Sequence, residues 1–370
     1  MRPDLAAEAE EVDHSSNPRR VLINYEVART AHVDRIKASG VECTMLYGRT
    51  YADFEGGADV KTFQRSPFGS TIHILANRYD VVEVNEPLFV RALPRIFASI
   101  LAVVLARLMG RNTRLVTYAI ENADVFAIAE LKGGSLGWLA RSAIALVATV
   151  ALRSMDKTAF GSDAALANYR RLFKDQAAGK AQRLFSPLNS ACRSCALDRD
   201  RTGAVFLGAL EPRKGIERLM SIWPSVSAAT DTSLDIIGGG YLEPSVLRWG
   251  SNYENVRIHG QLPQAEVHKI LSRAKVLILL SQPDGFWREQ IGLPLLEGLA
   301  HGCEVVASTD TSIAPWLSDQ GHQVLDMRNS DVEIVSAVVE ALDRPSRVKI
   351  ILDSLPNLDG RVAASGWLWS

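Results

Sequence analysis

The sequence predicts an α/β protein of two domains, each with a parallel sheet covered by helices. The chain has 370 residues, of which 47% are hydrophobic, and a single core rarely grows that large, so two domains are expected. Apolar strand-like runs alternate with helical stretches from residue 21, and the alternation restarts near residue 204 after a polar segment. Such alternation is typical of doubly wound sheets. We therefore predict two Rossmann-like domains that face each other across a cleft, where a ligand would bind.

The first domain opens with a strand–helix–strand pattern. Residues 21–25 have the pattern of a buried strand, and residues 30–39 that of a helix ending at Gly40. The polar, glycine-containing residues 50–70 predict a long loop. Further strands are predicted at 41–46, 80–84, 114–120 and 157–160, and further helices at 136–153 and 162–173.

The composition along the chain sets the expected domain boundaries. We expect a disordered tail over residues 1–18, a first domain over 19–187 and a polar linker over 188–202. The second domain is expected over 203–345, and the C-terminal segment 346–370 is expected to cross back to the first domain. Strands of the second domain are predicted at 204–207, 233–237, 256–258 and 276–280.

Charge is divided unevenly between the two halves. The formal net charge is −1, which gives no general reason to expect nucleic acid as a partner. Residues 1–187 carry 24 Lys+Arg and 20 Asp+Glu, a balance of +4, whereas residues 188–370 carry 17 and 22, a balance of −5. A basic first domain suits an anionic membrane surface or an anionic acceptor, and scattered solvated charges are the alternative.

Two apolar runs in the first domain bear on where the protein acts. Residues 96–109 and 142–152 are shorter than the roughly 20 residues needed to span a bilayer. We expect them to be buried helices of the fold, with helices that lie in the membrane interface as the alternative. The polar, acidic head of the chain does not suit a signal peptide. These features predict a cytoplasmic protein, with peripheral contact at the inner face of the membrane left open.

The cysteines do not suggest a metal site in the sequence. The four are Cys43, Cys192, Cys195 and Cys303, of which the middle two form an isolated C-x-x-C pair in the linker. Because no second pair and no neighbouring histidine completes a set of four ligands, we expect no metal site. All four cysteines are expected to be reduced thiols.

Residues 289–308, EQIGLPLLEGLAHGCEVVAS, form the most informative stretch. Glu289 and Glu297 have seven residues between them, among them Gly292 and Pro294. Proline suits the first helical turn, so the pattern predicts a loop before a helix that holds Glu297 about one turn inside. Free N–H groups at the helix start favour an anion. Two carboxylates beside an anion site suit a ligand with hydroxyls and phosphates, such as a nucleotide sugar, with chance spacing as the alternative.

A second loop, which ends in Lys214-Gly215, follows a strand and precedes a helix. A cation there would hold a diphosphate, and a surface lysine is the alternative. With the 289–308 stretch, this loop resembles the retaining GT-B glycosyltransferases of family 4, also called group 1. In this family the phosphate loop ends in Lys-Gly. The second motif consists, in order, of an acidic residue, a short loop with a glycine, Leu-Pro, a second acidic residue, a helix, a glycine and a strand that contains Val-Val. The family usually has an arginine where this chain has Ala209, and Arg213 is the candidate replacement.

The resemblance implies roles for residues of the second domain. Lys214 would hold the diphosphate, Glu297 would bind the ribose hydroxyls, and Glu289 would bind hydroxyls of the transferred sugar. Trp287, in an insertion before Glu289, would stack on a sugar or lie in the core, and we favour the core. The residues that would bind the donor are Gly208, Arg213, Lys214, Gly260, Gln261, Glu289, Ile291, Gly292, Leu293 and Glu297.

The first domain resembles the family only in outline. The family often has a histidine at the end of the fourth strand, near the reacting sugar carbon, and Glu121 stands in the matching stretch here. Glu121 would stabilise positive charge on the sugar or deprotonate the acceptor, and a structural carboxylate is the alternative. His32 would meet the phosphates or the acceptor, or lie on a helix surface. The catalytic residues implied are Glu121, Glu289 and Lys214.

The resemblance implies a retaining, metal-independent glycosyltransferase of hexosyltransferase type. It would move a sugar from a nucleoside diphosphate sugar, the donor substrate, to a hydroxyl acceptor and would need no other cofactor. A glycan is the implied acceptor, in particular a lipid-linked glycan or polysaccharide precursor. A sugar phosphorylase or synthase of the same fold remains an alternative, as does a non-catalytic GT-B-like partner subunit.

Overall fold

The computed structural model describes residues 19–370 apart from 52–53, 55, 57–58, 175–180, 193–194, 196–200 and 286. The disordered tail expected over residues 1–18 and part of the expected linker lie outside the described residues.

The first domain contains a seven-stranded parallel sheet with the strand order β3-β2-β1-β4-β5-β6-β7. Its strands are β1 (Val21–Ala28), β2 (Cys43–Thr50), β3 (Lys61–Gln64), β4 (Val81–Val84), β5 (Arg114–Ala119), β6 (Lys157–Phe160) and β7 (Ala181–Leu184). The central strand β4 is buried at every position. Helices on both faces of the sheet cause this burial, and the strand therefore reads as a continuous apolar run broken only by Glu83.

The first-domain helices are α1 (Thr30–Ser39), α2 (Pro67–Ala76), α3 (Leu93–Leu108), α4 (Val125–Lys132), α5 (Gly137–Arg153) and α6 (Asp163–Phe173). The long loop predicted over residues 50–70 is wrong in part, because β3 and the start of α2 lie within it. Ser66 caps α2 by accepting a hydrogen bond from the Gly69 N–H at 3.1 Å, and Pro67 is the first helical residue. The edge strand β3 pairs on one side only and is mostly exposed, so it lacks the apolar pattern of a buried strand.

The second domain contains a six-stranded parallel sheet with the strand order β10-β9-β8-β11-β12-β13. Its strands are β8 (Ala204–Leu207), β9 (Leu234–Ile237), β10 (Val256–Gly260), β11 (Val276–Leu279), β12 (Glu304–Ser308) and β13 (Gln323–Leu325). Its helices are α7 (Ile216–Thr230), α8 (Glu243–Gly250), α9 (Gln264–Leu271), α10 (Leu293–Ala300), α11 (Ala314–Asp319), α12 (Asp331–Asp343) and α13 (Val348–Asp353). One continuous hydrophobic core joins these elements.

The last helix, α14 (Gly360–Trp369), packs on the sheet of the first domain. The buried carboxylate of Glu83 anchors it, accepting from Trp369 Nε1 at 2.6 Å and from Arg361 Nη2 at 2.5 Å. Arg35 of α1 donates to the same carboxylate at 3.0 Å. At the entry to α14, the Gly360 N–H donates to the Leu188 carbonyl at 2.9 Å, so the two passages of the chain between the domains lie side by side.

The apolar run at 142–152 forms a helix, but the expectation that this helix is buried is wrong. In α5 the side chain of Leu146 is 66% exposed and that of Val150 is 43% exposed. The neighbouring α3 ends in Leu108, which is 78% exposed. Within the described residues, the helical stretch Gly134–Arg153 is long and apolar enough to cross a membrane, judged by length and composition alone. Of the apolar 18-residue segment within this stretch, 22% is buried. One such helix is weak support for a membrane span.

Candidate active site

The start of α10 forms the centre of the candidate site. Gly292 has φ +79°, and a Cβ added there would lie 2.9 Å from Leu295 Cδ1 and 3.2 Å from Thr311 Oγ1. A side chain is therefore disfavoured both by backbone conformation and by space. Thr311 Oγ1 donates to the Ile291 carbonyl at 2.9 Å and fixes the loop in front of the helix. Leu293, the first helical residue, is 56% exposed, so this end of the helix lies at the surface.

Glu289 lies just before this helix and is buried with a direct cationic partner. Its carboxylate is in contact with Lys214 Nζ and accepts a hydrogen bond from Ser281 Oγ at 3.0 Å. Glu289 is 7% exposed, and burial of a carboxylate is tolerated when it is paired and hydrogen-bonded. The two residues that the sequence assigned to the diphosphate and the sugar are thus brought together.

A tight turn after β8 places Lys214 beside Glu289. Gly215 has φ +75°, and a Cβ added there would lie 2.0 Å from the Leu280 carbonyl oxygen. Only glycine permits this turn to approach the backbone that follows β11 so closely. Gly208 stands at the start of the same loop, where its N–H donates to the Ile237 carbonyl at 3.0 Å.

Trp287 lies among cations, so the interpretation that it belongs to the core is wrong. Its ring is half-buried, with the Arg213 guanidinium 4.5 Å and Lys214 Nζ 5.1 Å from the ring centroid. Such cation–π contacts favour both charges. Arg213 also pairs with Glu211, its Nε donating to Oε2 at 2.5 Å. The aromatic ring is held at the surface by the two residues expected to bind phosphate.

The remaining candidate donor residues are Glu297 of α10 and residues at the carboxyl ends of β9 and β10. Burial raises the pKa of Glu297, and the Gln264 side chain opposes that rise. The Gly238 N–H donates to the Gly260 carbonyl at 2.8 Å. Gln261 covers the turn after β9, since a Cβ added at Gly239 would lie 3.2 Å from Gln261 Cγ.

Glu121 lies at the carboxyl end of β5 and faces the second domain. Gln290 Nε2 donates to Glu121 Oε2 at 3.1 Å, and Asn122 Nδ2 donates to the Glu289 carbonyl at 3.2 Å. Glu121 Oε1 also accepts from the Ala123 N–H at 2.9 Å. The candidate acid or base of the first domain is therefore next to the loop that carries Glu289, across the cleft.

Glu86, at the end of β4, is a site residue that the sequence analysis missed. It is 8% exposed and accepts hydrogen bonds from the Ile120 N–H at 3.2 Å, the Glu121 N–H at 3.1 Å and the Tyr169 hydroxyl at 2.8 Å. Burial, and then the charge of Glu121, raise the pKa of Glu86 to about 7. Its position directly after a buried parallel strand is the signal that would have identified it.

His32 is packed within the first domain. Its Nδ1 accepts from the Arg29 N–H at 3.2 Å, and its ring meets the Tyr25 ring edge-on with centroids 5.0 Å apart. Burial, and then the charge of Arg35, lower the pKa of His32 to about 3. His32 is therefore neutral near pH 7 and caps the start of α1.

The expectation that no histidine joins the C-x-x-C pair is wrong. Cys192, Cys195, His268 and His301 each offer a ligand atom, and these atoms all lie within 4.8 Å of one another. The two histidines come from the ends of α9 and α10. They are 76 and 109 residues beyond Cys192 in the chain, so sequence spacing alone does not suggest them.

A family model and one curated protein each match part of this chain. Residues 201–344 match the family model described as glycosyl transferases group 1. Over 141 residues the chain is 30% identical to O-antigen chain mannosyltransferase B of Escherichia coli, a match that covers 36% of this chain and 35% of that protein. The match thus spans about a third of the curated relative's length.

Solved structures extend the similarity to both domains. The chain is similar to WaaG, a glycosyltransferase involved in lipopolysaccharide biosynthesis, with a TM-score of 0.63 and 13% identity over 93% of this chain and 98% of that one. It is also similar to a sucrose-phosphate synthase from Thermosynechococcus elongatus, with a TM-score of 0.65 and 15% identity over 95% and 98%. At such identities the similarity concerns the fold, and the predicted arrangement of two Rossmann-like domains is confirmed.

Proposed function

We propose that the protein is a retaining, metal-independent glycosyltransferase of hexosyltransferase type, because residues 201–344 match the model of the group 1 glycosyl transferases and the two domains adopt the GT-B fold. It moves a sugar from a nucleoside diphosphate sugar to a hydroxyl acceptor. The observation that carries the proposal is the contact of Lys214 with Glu289 at the start of α10, opposite Glu121.

The donor binds at the second domain in this proposal. The diphosphate lies against Lys214, Arg213 and the start of α10 at Gly292, where cations and helix N–H groups favour an anion. Glu297 accepts hydrogen bonds from the ribose hydroxyls. Gly208 lies in the loop that binds the phosphates, and Ile291 and Leu293 lie at the start of α10. Gly260 and Gln261 contact the nucleobase.

Lys214 and Glu289 exchange partners when the donor binds. Without donor, the two side chains satisfy each other. The diphosphate offers Lys214 a more highly charged anion, and Glu289 then accepts hydrogen bonds from the hydroxyls of the sugar. The exchange leaves Lys214 paired with an anion and leaves the buried Glu289 carboxylate hydrogen-bonded.

Lys214 and the helix start stabilise the leaving diphosphate during transfer. The bond between the anomeric carbon and the diphosphate oxygen breaks, and its electron pair leaves with the diphosphate. The acceptor oxygen bonds to the same face of that carbon. Glu121 takes the acceptor proton, or it stabilises the positive charge on the sugar while the leaving diphosphate takes that proton.

Metal independence belongs to this proposal because the charges of Lys214 and Arg213 can neutralise the diphosphate without a metal ion. The sequence does contain an Asp-x-Asp triplet at 198–200, in the linker and outside the described residues. Transfer that continues in EDTA supports the proposal, and transfer that requires added Mg²⁺ or Mn²⁺ contradicts this part of it.

We assign a lipid-linked glycan or polysaccharide precursor as the acceptor. Exposed apolar side chains cover α3 and α5, and α4 leads from the Glu121 turn into this surface. Two of the three proteins named above, the O-antigen chain mannosyltransferase and WaaG, act in O-antigen and lipopolysaccharide synthesis according to their names. An acceptor carried on a lipid would reach Glu121 from a membrane on which these helices lie.

The test is release of nucleoside diphosphate from a panel of UDP-, GDP-, ADP- and dTDP-sugars, with and without a lipid-linked acceptor. We expect one donor to be used, and Glu121→Gln to lower turnover by about 10² or more. Glu254→Gln, at an exposed surface position, is the matched control. Full turnover of Glu121→Gln, or no release from any donor, contradicts the proposal, whereas phosphate-dependent release of a sugar phosphate identifies a phosphorylase.

A further inference from the structure

Two cysteines of the linker meet two histidines of the second domain. Cys192 Sγ lies 3.7 Å from His268 Nδ1, which lies 2.8 Å from His301 Nε2. With Cys195 Sγ, these atoms all lie within 4.8 Å of one another. A tetrahedral zinc site, with Zn–S bonds of about 2.3 Å and Zn–N bonds of about 2.0 Å, places its ligand atoms about 3.3 to 3.8 Å apart. Small side-chain movements would bring the four atoms to those distances.

His301 is oriented as a metal ligand. Its Nδ1 lies 2.7 Å from the Glu297 carbonyl oxygen, which can only accept a hydrogen bond. Nδ1 therefore carries the proton, and Nε2 presents a lone pair to the cluster. A backbone carbonyl that fixes the ring and its tautomer in this way is the usual outer partner of a metal-bound histidine.

The surrounding backbone holds the linker against the end of α10. The Cys192 N–H donates to the Ala300 carbonyl at 2.7 Å. Arg201, which is 5% exposed, donates through Nη1 to the His301 carbonyl, while its Nε and Nη2 have no partner among the described residues. This buried cation lies beside the cluster, because His301, whose carbonyl it binds, is one of the four residues.

We propose that Cys192, Cys195, His268 and His301 bind a structural zinc ion. Two thiolates and two neutral imidazoles balance the charge of Zn²⁺, and this donor set suits zinc. All four positions are filled by protein, which leaves none open for a substrate and distinguishes the site from a catalytic one. The ion fastens the interdomain linker to the carboxyl end of α10, the helix whose other end carries Gly292.

The test measures zinc in the full chain, produced without a histidine tag and kept reduced. We expect one zinc per chain in the wild type and in Cys43→Ala, which removes a buried cysteine of the first domain. The double variant Cys192→Ser/Cys195→Ser should hold only background zinc. Equal zinc in the double variant and the wild type, or none in the wild type, overturns the proposal.

A second measurement uses the wild type alone, in case the double variant does not fold. The chelator-stripped chain is loaded with cobalt(II), and we expect thiolate-to-cobalt charge-transfer absorption with the intense visible bands of a tetrahedral site. Zinc should also raise the melting temperature of the stripped wild type, because it binds the folded chain. A spectrum without thiolate charge transfer contradicts a zinc site. A Cys192–Cys195 disulfide in the reduced preparation also contradicts it and indicates a redox pair instead.

Discussion

At the residue scale, the two buried carboxylates Glu289 and Glu86 differ in the partners that they bind. Glu289 has the ammonium of Lys214 as its direct partner. Glu86 accepts instead from neutral groups, the N–H groups of Ile120 and Glu121 and the hydroxyl of Tyr169. Burial, and then the charge of Glu121, outweigh these hydrogen bonds and raise the pKa of Glu86 to about 7. Glu86 holds the turn that carries Glu121, which makes it a positioning residue.

Glu86→Gln should flatten part of the pH dependence of stability. The folded chain holds the Glu86 proton up to a pKa of about 7, whereas the unfolded chain releases it near the ordinary glutamate pKa of 4.5. Because the folded chain binds more protons between these two pH values, the free energy of unfolding of the wild type falls as pH rises through this window. The contribution of Glu86 to this fall is about 2 to 3 kcal/mol. Melting temperatures between pH 4.5 and 8 should show a smaller fall in the variant.

Glu254→Gln is the control for this measurement, since it removes an exposed carboxylate. The control should keep the wild-type pH profile. An identical profile in Glu86→Gln would show that Glu86 is not held protonated.

At the element scale, glycine turns at the carboxyl ends of strands bring the site together. The Lys214–Gly215 turn follows β8 and rests on the backbone after β11, and the Gly292 turn begins α10. Strands β8, β9, β10 and β11 follow from the sequence because they are short apolar runs, whereas β13 was not predicted. Edge strand β3 could not be predicted in this way, since its residues are mostly exposed.

Gly215→Ala should destabilise the second domain and displace Lys214. An added Cβ would lie 2.0 Å from the Leu280 carbonyl oxygen at φ +75°, so backbone conformation costs about 1 to 2 kcal/mol and the steric clash adds to it. Gly110→Ala is the matched control, because Gly110 has φ +78° and nothing within 4 Å of the added Cβ. Equal losses of melting temperature in the two variants would contradict a close approach at Gly215.

The exposed apolar faces of α3 and α5 should bind anionic vesicles. Replacing Leu108 and Leu146, which are 78% and 66% exposed, with aspartate should lower co-sedimentation with phosphatidylglycerol vesicles, since it adds negative charge and removes apolar area. Val332→Asp, at a residue of the second domain that is also 78% exposed, is the control and should bind as the wild type. Unchanged sedimentation of the double variant would count against membrane contact.

At the scale of the whole molecule, the site depends on the two domains meeting. Asn122 and Glu121 of the first domain contact Glu289 and Gln290 of the second. α14 returns to the first domain, where Glu83 anchors Trp369. The two passages of the chain between the domains also lie together, where the Gly360 N–H donates to the Leu188 carbonyl.

The sequence predicts the parts of this molecule that are local in the chain. The alternation of strands and helices and the motifs around Lys214 and Glu289 are of this kind, and the fold they predict is confirmed. Contacts between segments that are distant in the chain cannot be predicted in this way. Glu86 matters because it binds the turn after β5, which is distant in the sequence. His268 and His301 contact the cysteines only because the ends of α9 and α10 lie close together.

Calorimetric titration of the nucleotide sugars into the full chain tests the central claim most directly. We expect one donor to bind the wild type, and Lys214→Met to weaken it by about tenfold or more, because a charge-assisted hydrogen bond contributes about 1.5 to 3 kcal/mol. Glu297→Gln should also weaken the donor, whereas Lys269→Met, at an exposed lysine of α9, should not. Wild-type affinity in both Lys214→Met and Glu297→Gln, or no donor binding at all, would contradict the account.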